Sequence, residues 1–203
     1  MSYPISLIFD TETTGLPPPS TNPKTKYAPY RDWCNQCRVI QLAWTIIDKN
    51  GKNINTYNTF IKPLGYTVSK EAEAIHGFSN PFLLEKGILI EDALKYLFRV
   101  IDYYHVECIV AHNLAFDYHV IMQELYKLKW KEEIKKWKKI KGYCTLKQAR
   151  NYYANKNKKP INYKLATVYK ECVGEIDNSI TLHHADADIQ LCKEIYMKLY
   201  NTK

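Results

Sequence analysis

Four carboxylates and one histidine lie in three separated segments of the chain, each in a setting that suits divalent metal binding. Asp10 and Glu12 occur in LIFDTETTGL, Asp117 in IVAHNLAFDYHVI, and His183 and Asp188 in TLHHADADIQLC. Carboxylate oxygens are the ligands that Mg²⁺ and Mn²⁺ prefer, and a histidine side chain titrates near neutral pH. The three segments therefore predict a cation site beside a group that can move a proton.

The first segment predicts a buried strand, because the apolar run from Ser6 to Phe9 ends in polar and glycine-containing sequence. Alternate residues of a strand point to the same face, so Asp10 and Glu12 should project together from the strand end. Two carboxylates held this close repel each other unless a cation neutralises them. A solvated loop is the open alternative. A calcium loop is excluded, because its twelfth position would be Thr21, where a bidentate Glu is required.

The second and third segments each place an acid in the first turns of a helix. In the second, a buried strand leads into a helix from about Ala115 to Leu128 with Asp117 in its first turn, where the helix dipole favours negative charge. In the third, Asp188 lies near the start of a predicted helix and His183 lies on the connection before it. Ordinary first-turn helix chemistry is the open alternative for Asp117, and a surface position is the alternative for His183.

Taken together, the three segments resemble the DEDDh 3′→5′ exonucleases, a DnaQ-like family of the ribonuclease H-like superfamily that includes proofreading subunits, TREX and RNase T. The motifs in chain order are DTETTGL from Asp10 to Leu16, then His112-Asn113 followed by Phe116-Asp117, then His183 with Asp188 five residues later. The histidine at that spacing marks the "h" branch of the family. The resemblance runs from about Ile5 to Tyr200, which is nearly the whole chain.

The resemblance implies a set of catalytic roles. Asp10 would bridge two Mg²⁺ ions, for which Mn²⁺ can substitute, while Glu12 and Asp188 would complete one site. Asp117 would support the second site, partly through water. His183 would be the general base that takes a proton from the attacking water. The implied reaction is two-metal hydrolysis of phosphodiester bonds at 3′ ends, which releases nucleoside 5′-monophosphates.

The resemblance also implies substrate contacts and partners. Thr13, Leu16, His76 and Asn113 would hold the end of a nucleic-acid strand, either single-stranded or frayed, with DNA as the expected polymer. A helix C-cap role before Gly77 is the open alternative for His76. A polymerase or replication partner fits the family. Two other functions stay open: an exoribonuclease that processes RNA 3′ ends, and a nucleic-acid-binding module without catalysis.

Positive charge is concentrated in one region of the chain. The net charge is +8, and residues 127–164 contain 14 Lys or Arg against only Glu132 and Glu133. This basic helical region is expected to attract phosphates toward the cation site. Five aromatic residues are interleaved in it and could stack on unpaired bases: Trp130, Trp137, Tyr143, Tyr152 and Tyr153. The interpretation favoured for the tryptophans is docking on the body of the protein together with Ile134.

The expected fold is α/β, a ribonuclease H-like mixed sheet whose first three strands are antiparallel and later ones parallel, flanked by helices. The predicted strands lie near 5–10, 38–48, 53–62 and 107–111, and the predicted helices include 91–104 and 185–200. The turn at Asn50-Gly51 predicts an antiparallel hairpin, and parallel pairing should begin with the strand before His112. Residues 1–203 are expected to form a single domain.

The clearest departure from the family is a loop insertion at about 17–38. Pro17-Pro18-Pro19 gives it a stiff start, and we expect it to help select the substrate end. Cys34 and Cys37 form a lone CxxC pair, so reduced cysteines are expected there in preference to a zinc or redox site. No secretory leader or apolar run of membrane length is visible, and a soluble intracellular protein without a membrane partner is expected.

Overall fold

The structure is a computed structural model that describes residues 2–23, 28–33, 36–157, 162–177 and 181–200. Its strands are β1 (Ser6–Thr13), β2 (Val39–Ile47), β3 (Asn53–Phe60), β4 (Cys108–Ala111) and β5 (Lys141–Cys144). Its helices are α1 (Lys70–His76), α2 (Asn80–Lys86), α3 (Ile90–Tyr103), α4 (Leu114–Leu128), α5 (Lys131–Lys139), α6 (Thr145–Asn155), α7 (Leu165–Cys172) and α8 (Ala185–Tyr200).

The five strands form one mixed sheet in the order β3-β2-β1-β4-β5. β1 pairs antiparallel with β2, and β2 pairs antiparallel with β3 across the turn at Gly51, whose φ of 82° suits glycine. β1 and β4 are parallel, with Ser6 opposite Cys108, and β4 and β5 are also parallel. The predicted mixed sheet is therefore confirmed, with β1 at its centre.

β1 is longer than predicted. The sequence suggested that the strand ends near residue 10, but its ladder with β2 continues to the pair Thr13 and Val39. Asp10 and Glu12 therefore lie inside the strand, and not beyond its end. The alternation that places both on one face is unchanged, because the extra residues keep the strand pairing.

The two faces of β1 meet different helices. Phe9 belongs to the core formed with α3, α4 and α5, whereas Ile8 belongs to the core formed with α8. Since strand side chains alternate, Asp10 and Glu12 share the α8 face with Ile8, and Thr11 shares the α4 face with Phe9. Helices on both faces of the sheet can therefore contribute residues to the predicted site.

The helix predictions agree closely with the structure. The predicted helix at 91–104 is α3 and the predicted helix at 185–200 is α8. Their predicted apolar stripes are buried: Leu94, Leu97, Phe98 and Ile101 in α3, and Ile189, Cys192, Tyr196 and Leu199 in α8. Burial of the apolar stripe fixes the rotation of each helix about its own axis. Polar side chains can then lie on the side of the helix that does not pack in the core.

The insertion folds back onto α4. Residues Tyr30–Asp32 form a short 3-10 helix, and Trp33 after it is 4% exposed and belongs to the main core. Cys37 is buried, and burial raises the pKa of its thiol to about 12. Cys34 lies outside the described residues, so the prediction for the CxxC pair stays a prediction. The five cysteines that the structure describes form no disulfide.

The basic region is divided between the two ends of the parallel strands. α5 leads into Lys141 at the start of β5, whereas α6 follows the end of β5, on the same side as Asp10. The predicted docking of the tryptophans is confirmed for Trp137, which is fully buried. Base stacking by Tyr143 and Tyr153 is wrong, because these rings are 7% and 4% exposed and pack in the core.

Candidate active site

Three of the predicted acids meet at one point beside β1. Asp10 and Glu12 project from the same face of the strand, and Asp188 reaches them from the first turn of α8. The ligand atoms of these three carboxylates all lie within 4.8 Å of one another. Oxygen atoms at this spacing can coordinate a common divalent cation.

Asp117 lies near this group on the other face of the sheet, but it is not one of the three acids whose ligand atoms lie within 4.8 Å of one another. It lies in the first turn of α4, is 3% exposed, and its Oδ1 accepts hydrogen bonds from Thr11 N–H at 3.1 Å and Thr11 Oγ1–H at 2.8 Å. Its negative charge raises the pKa of both Asp10 and Glu12. Thr11 therefore ties α4 to the strand that carries the other two acids, a role that the sequence had not indicated.

The four carboxyl groups are held in conditions that oppose their ionisation. Burial first, and then the negative charges of its neighbours, raise the pKa of Asp10 well above its usual range. The same two causes raise the pKa of Glu12 to about 8. Burial raises the pKa of Asp117 to about 7 and that of Asp188 to about 6. Without a cation, the cluster therefore retains protons that carboxyl groups in water would have released.

The donor set fits a divalent cation. Asp188 Oδ1 is buried and has no hydrogen-bond partner among the described residues. Among the ion pairs in the described part of the chain, none includes Asp10, Glu12, Asp117 or Asp188. Buried acceptors and unpaired charges are costly unless a proton or a cation compensates them. A hard cation with oxygen ligands, such as Mg²⁺ or Mn²⁺, would supply that compensation.

His183 lies outside the carboxylate group, on the exposed turn before α8. Its backbone has a φ of 64°, in the left-handed region, and its amide hydrogen bonds to Asp188. The start of α8 is fixed to β2 by Gln41, whose Oε1 accepts from Ala185 N–H at 3.0 Å and whose side chain is buried. The structure thus places the histidine on a turn next to a rigidly held acid, as expected.

A cleft of about 400 Å³ opens directly beside the acids. Its walls include Glu12, Thr13, Leu16, Ile75, His76 and Phe116. Leu16 and Ile75 are 67% and 61% exposed, which is unusual for large apolar side chains. Three of the four predicted substrate residues, Thr13, Leu16 and His76, therefore line one cavity. The fourth, Asn113, lines a separate cavity on the other side of Phe116.

The structure shows the helix-end position of His76, whereas its contact with substrate stays a prediction. It is the last residue of α1, and Gly77 ends the helix with a φ of 79°. Its Nδ1 accepts from Phe78 N–H at 3.0 Å, while its buried Nε2 has no partner among the described residues. Burial lowers the pKa of His76 to about 4, so the ring is neutral at pH 7. His76 therefore lines the cleft as a neutral ring whose Nε2 is buried and not exposed to the cavity.

His112 has a structural position at the end of β4. Its two ring nitrogens lie 2.9 Å from Thr145 Oγ1 and 2.8 Å from the Tyr163 carbonyl oxygen. It thereby joins the strand to α6 and to the segment before α7. The neighbouring Asn113 adopts the left-handed conformation with a φ of 73° and caps α4 through its backbone only. This pair turns the chain sharply so that Asp117 points back toward β1.

Comparison with known proteins identifies the family. The model of the exonuclease family RNase_T matches residues 7–196. The chain belongs to this exonuclease family. A DNA polymerase III subunit epsilon of Buchnera aphidicola (subspecies Acyrthosiphon pisum) is 32% identical over 198 residues, which cover 95% of the chain and 71% of that protein. The epsilon subunit of Escherichia coli is 27% identical over 95% of the chain and 70% of its own length.

Solved exonuclease structures have the same fold. An exonuclease I structure aligns over 99% of the chain with a TM-score of 0.71 and 19% identity, and the chain spans 41% of that protein. A 3′-exonuclease that recognises a histone mRNA stem-loop aligns over 98% of the chain with a TM-score of 0.68 and 11% identity. The chain spans 64% of that second structure. The predicted ribonuclease H-like fold and the predicted nuclease class of enzyme are thereby confirmed.

None of the helices that the structure describes combines the length and the apolar character needed to cross a membrane.

Proposed function

We propose that the protein removes nucleotides from the 3′ ends of DNA by phosphodiester hydrolysis and releases nucleoside 5′-monophosphates. The observation that carries this proposal is the group formed by Asp10, Glu12 and Asp188, whose ligand atoms lie within 4.8 Å of one another beside an open cleft. Hydrolysis of a phosphodiester requires charge stabilisation on the phosphate oxygens and an activated water. A carboxylate group that lacks its own counter-charge is suited to recruiting the cations for this chemistry.

Asp10, Glu12 and Asp188 would hold one divalent cation, and Asp10 with Asp117 would hold a second. When bound, two such ions lower the pKa of a water molecule and stabilise charge on the attacking and leaving oxygens. The contribution of the chain is to fix the oxygen ligands. Thr11 holds Asp117 by two hydrogen bonds, and Gln41 holds the first turn of the helix that carries Asp188.

His183 would act as the general base. It sits on an exposed turn, from which its ring can approach the attacking water and afterwards pass the proton to solvent. The adjacent Asp188 is held by α8, so the base can move without disturbing the ligand. Substitution of a general base lowers rates by roughly 10² to 10⁴.

The cleft beside the acids would take the 3′-terminal nucleotide. Leu16 and Ile75 would contact its base and sugar across the exposed mouth, and His76 would form part of the cleft wall. The charge on α6, at the same end of the parallel strands as the acids, would attract the phosphates upstream. The charge on α5 lies at the other end and would contribute less.

DNA as the substrate, and a polymerase as a partner, are inferred from the relatives. Proteins named DNA polymerase III subunit epsilon match over 95% or more of the chain. A solved exonuclease I is bound to a dA16 oligonucleotide, whereas another structure of similar fold recognises an mRNA stem-loop. RNA is therefore the alternative polymer, and the experiment below includes it.

The test is an assay of DNA and RNA oligonucleotides labelled at the 5′ end, with Mg²⁺, with Mn²⁺ or with chelator. The expected result is stepwise shortening from the 3′ end of DNA that chelator, Asp10→Ala and His183→Ala each abolish or strongly reduce. Asp92→Ala is the matched control, because Asp92 is an exposed acid on α3 paired with Lys95. Removal of nucleotides from the 5′ end would overturn the proposal. Faster shortening of RNA would favour the alternative polymer, and binding without cleavage would favour the non-catalytic module.

A further inference from the structure

A second cavity, of about 310 Å³, lies where the insertion rests on the start of α4. Its lining includes Pro29, Tyr30 and Trp33 from the insertion, and Asn113, Phe116 and His119 from α4 and its cap. Its volume is at the lower end of the range of ligand pockets, roughly 300 to 1,000 Å³. We refer to it as the insertion cleft.

The aromatic walls of the insertion cleft are braced. Tyr30 stacks on His119 with ring centroids 4.9 Å apart and an interplanar angle of 9°. Trp33 lies 6.3 Å from Phe116 at 29°, and Trp33 Nε1–H donates to the Ala28 carbonyl oxygen at 2.7 Å. Burial lowers the pKa of His119, which favours the neutral form of its ring. These contacts hold the rings in place before any ligand arrives, which reduces the entropic cost of binding a flat molecule.

A single side chain separates the insertion cleft from the cleft beside the acids. Phe116 lines both the insertion cleft and the cleft beside the acids, and the next residue is Asp117. The exposed Asn113 offers an amide at the rim of the insertion cleft, and the exposed Arg31 lies just outside it, over the ring of Tyr126. An aromatic wall, an amide and a nearby cation are the groups that bind a base and its phosphate.

We propose that the insertion cleft binds the base of the nucleotide next to the 3′-terminal one. This rests on the proposed function, because it assumes that the first cleft holds the terminal nucleotide. A base enters the insertion cleft between the insertion on one side and α4 on the other, so it separates from its complementary strand. The enzyme therefore selects ends whose last two nucleotides are unpaired.

Filling the insertion cleft from an exposed helix position tests the proposal. Ala115 is exposed on the first turn of α4 and lines this cleft, so Ala115→Leu adds a side chain there with little change in helix propensity. The matched control is Ala154→Leu, the same change at an exposed position on α6. Equal melting temperatures of the two variants would establish that both are folded.

Four substrates distinguish the roles of the two clefts: the p-nitrophenyl ester of thymidine 5′-monophosphate, a single-stranded DNA oligonucleotide, a duplex with paired 3′ nucleotides, and a duplex with two mismatched 3′ nucleotides. We expect Ala115→Leu to lower kcat/KM about tenfold on the single strand, since stacking of a base on an aromatic ring is worth about that factor. Hydrolysis of the ester, which has no second nucleotide, should be unchanged. The preference for mismatched over paired ends should shrink.

A binding measurement gives an independent reading. 2-Aminopurine placed next to the 3′-terminal nucleotide should lose fluorescence on binding to the Asp10→Asn protein, because stacking quenches it, and should lose less when Ala115→Leu is added. The proposal is overturned if Ala115→Leu cleaves the single strand like the control, or if it slows the ester equally. Should wild type cleave neither the ester nor any oligonucleotide, the proposed function itself would fail.

Discussion

The buried carboxylates of this protein fall into two groups that differ in whether a cationic side chain pairs with them. Glu124 on α4 is fully buried, and the guanidinium of Arg38 donates to both of its carboxylate oxygens, at 2.7 and 2.8 Å. The backbone N–H of Val39 adds a third, longer bond at 3.3 Å. Asp117 is also buried and Asp10 is partly buried, but no cationic side chain among the described residues pairs with either of them.

The difference separates a structural carboxylate from a functional one. Burial alone does not distinguish them, because Glu124 is buried as deeply as Asp117. The distinguishing feature is where the counter-charge comes from. Arg38 supplies it within the chain and thereby joins the end of the insertion to α4, whereas under the proposed function a cation from solution would supply it to the acid group.

Asp10→Asn should abolish activity without weakening the fold. Asp10 is central to the acid group, and loss of a shared ligand removes charge stabilisation worth several kcal/mol, which corresponds to about 10³-fold or more in kcat. The melting temperature at pH 8 should stay the same or rise, because one of several mutually repelling charges has gone. Oligonucleotide cleavage and thermal unfolding would be measured beside Asp92→Asn. A folded variant with near wild-type activity would contradict the assignment.

Arg38→Met, in contrast to Asp10→Asn, should lower the free energy of unfolding. It leaves the carboxylate of Glu124 buried without its partner, which costs about 3 to 5 kcal/mol of unfolding free energy. Urea unfolding measures the loss. In the double variant Arg38→Met with Glu124→Leu, most of the stability should return, because no buried charge is left unpaired. If Arg38→Met alone were as stable as wild type, water would have to reach the carboxylate of Glu124. Glu124 would then not depend on Arg38 for its counter-charge, and the contrast with the acid group would be wrong.

Local patterns in the sequence predicted the parts of the site that depend on neighbours along the chain. The placement of Asp10 and Glu12 on one face follows from strand alternation, and the positions of Asp117 and Asp188 follow from the starts of α4 and α8. The predicted first strand ended three residues before the observed end of β1. The reason is that pairing with β2, and not composition, keeps Thr11 to Thr13 extended.

Contacts between distant segments could not be predicted in this way. Thr11 meets Asp117 across 106 positions, and Gln41 meets Ala185 across 144. Neither residue carries a local signal for its role, because a buried Thr or Gln has many possible partners. The basic region shows the same limit: charges counted along the chain looked continuous, but β5 carries the chain from one end of the parallel strands to the other and separates α5 from α6.

Divalent cations that bind the acid group of the folded state should stabilise the protein, by an amount that grows with the logarithm of their concentration above Kd. At a concentration about 100 times Kd, a ligand that binds only the folded state adds about 2.7 kcal/mol. Mg²⁺ and Mn²⁺ are thus expected to raise the melting temperature of wild type, whereas Asp10→Asn should respond weakly. KCl at matched ionic strength controls for general screening. An equal rise for both proteins would place the ions elsewhere on the surface and leave the acid group without its counter-charge.

The smallest effect should come from pH in the presence of chelator. The pKa of Glu12 is raised to about 8 and that of Asp117 to about 7, while unfolded carboxyls titrate near about 4. The folded state therefore retains protons that the unfolded state has released, and stability is lost as pH rises through the folded pKa values. His76, with its pKa lowered to about 4, acts in the opposite direction but only below about pH 7.

Thermal unfolding between pH 7 and 9 avoids the titration of His76, and because a buried thiol such as that of Cys37 contributes equally to wild type and Asp10→Asn, the difference between the two proteins isolates the carboxylates. The melting temperature of wild type in chelator should fall by a few degrees across this range, since coupled acids share their remaining protons and ionise gradually. The fall should be shallower for Asp10→Asn, which has one charge fewer to repel, and should flatten when Mg²⁺ is saturating. A melting temperature that rises from pH 7 to 9 would show that the acids are already neutralised within the chain, as Glu124 is by Arg38.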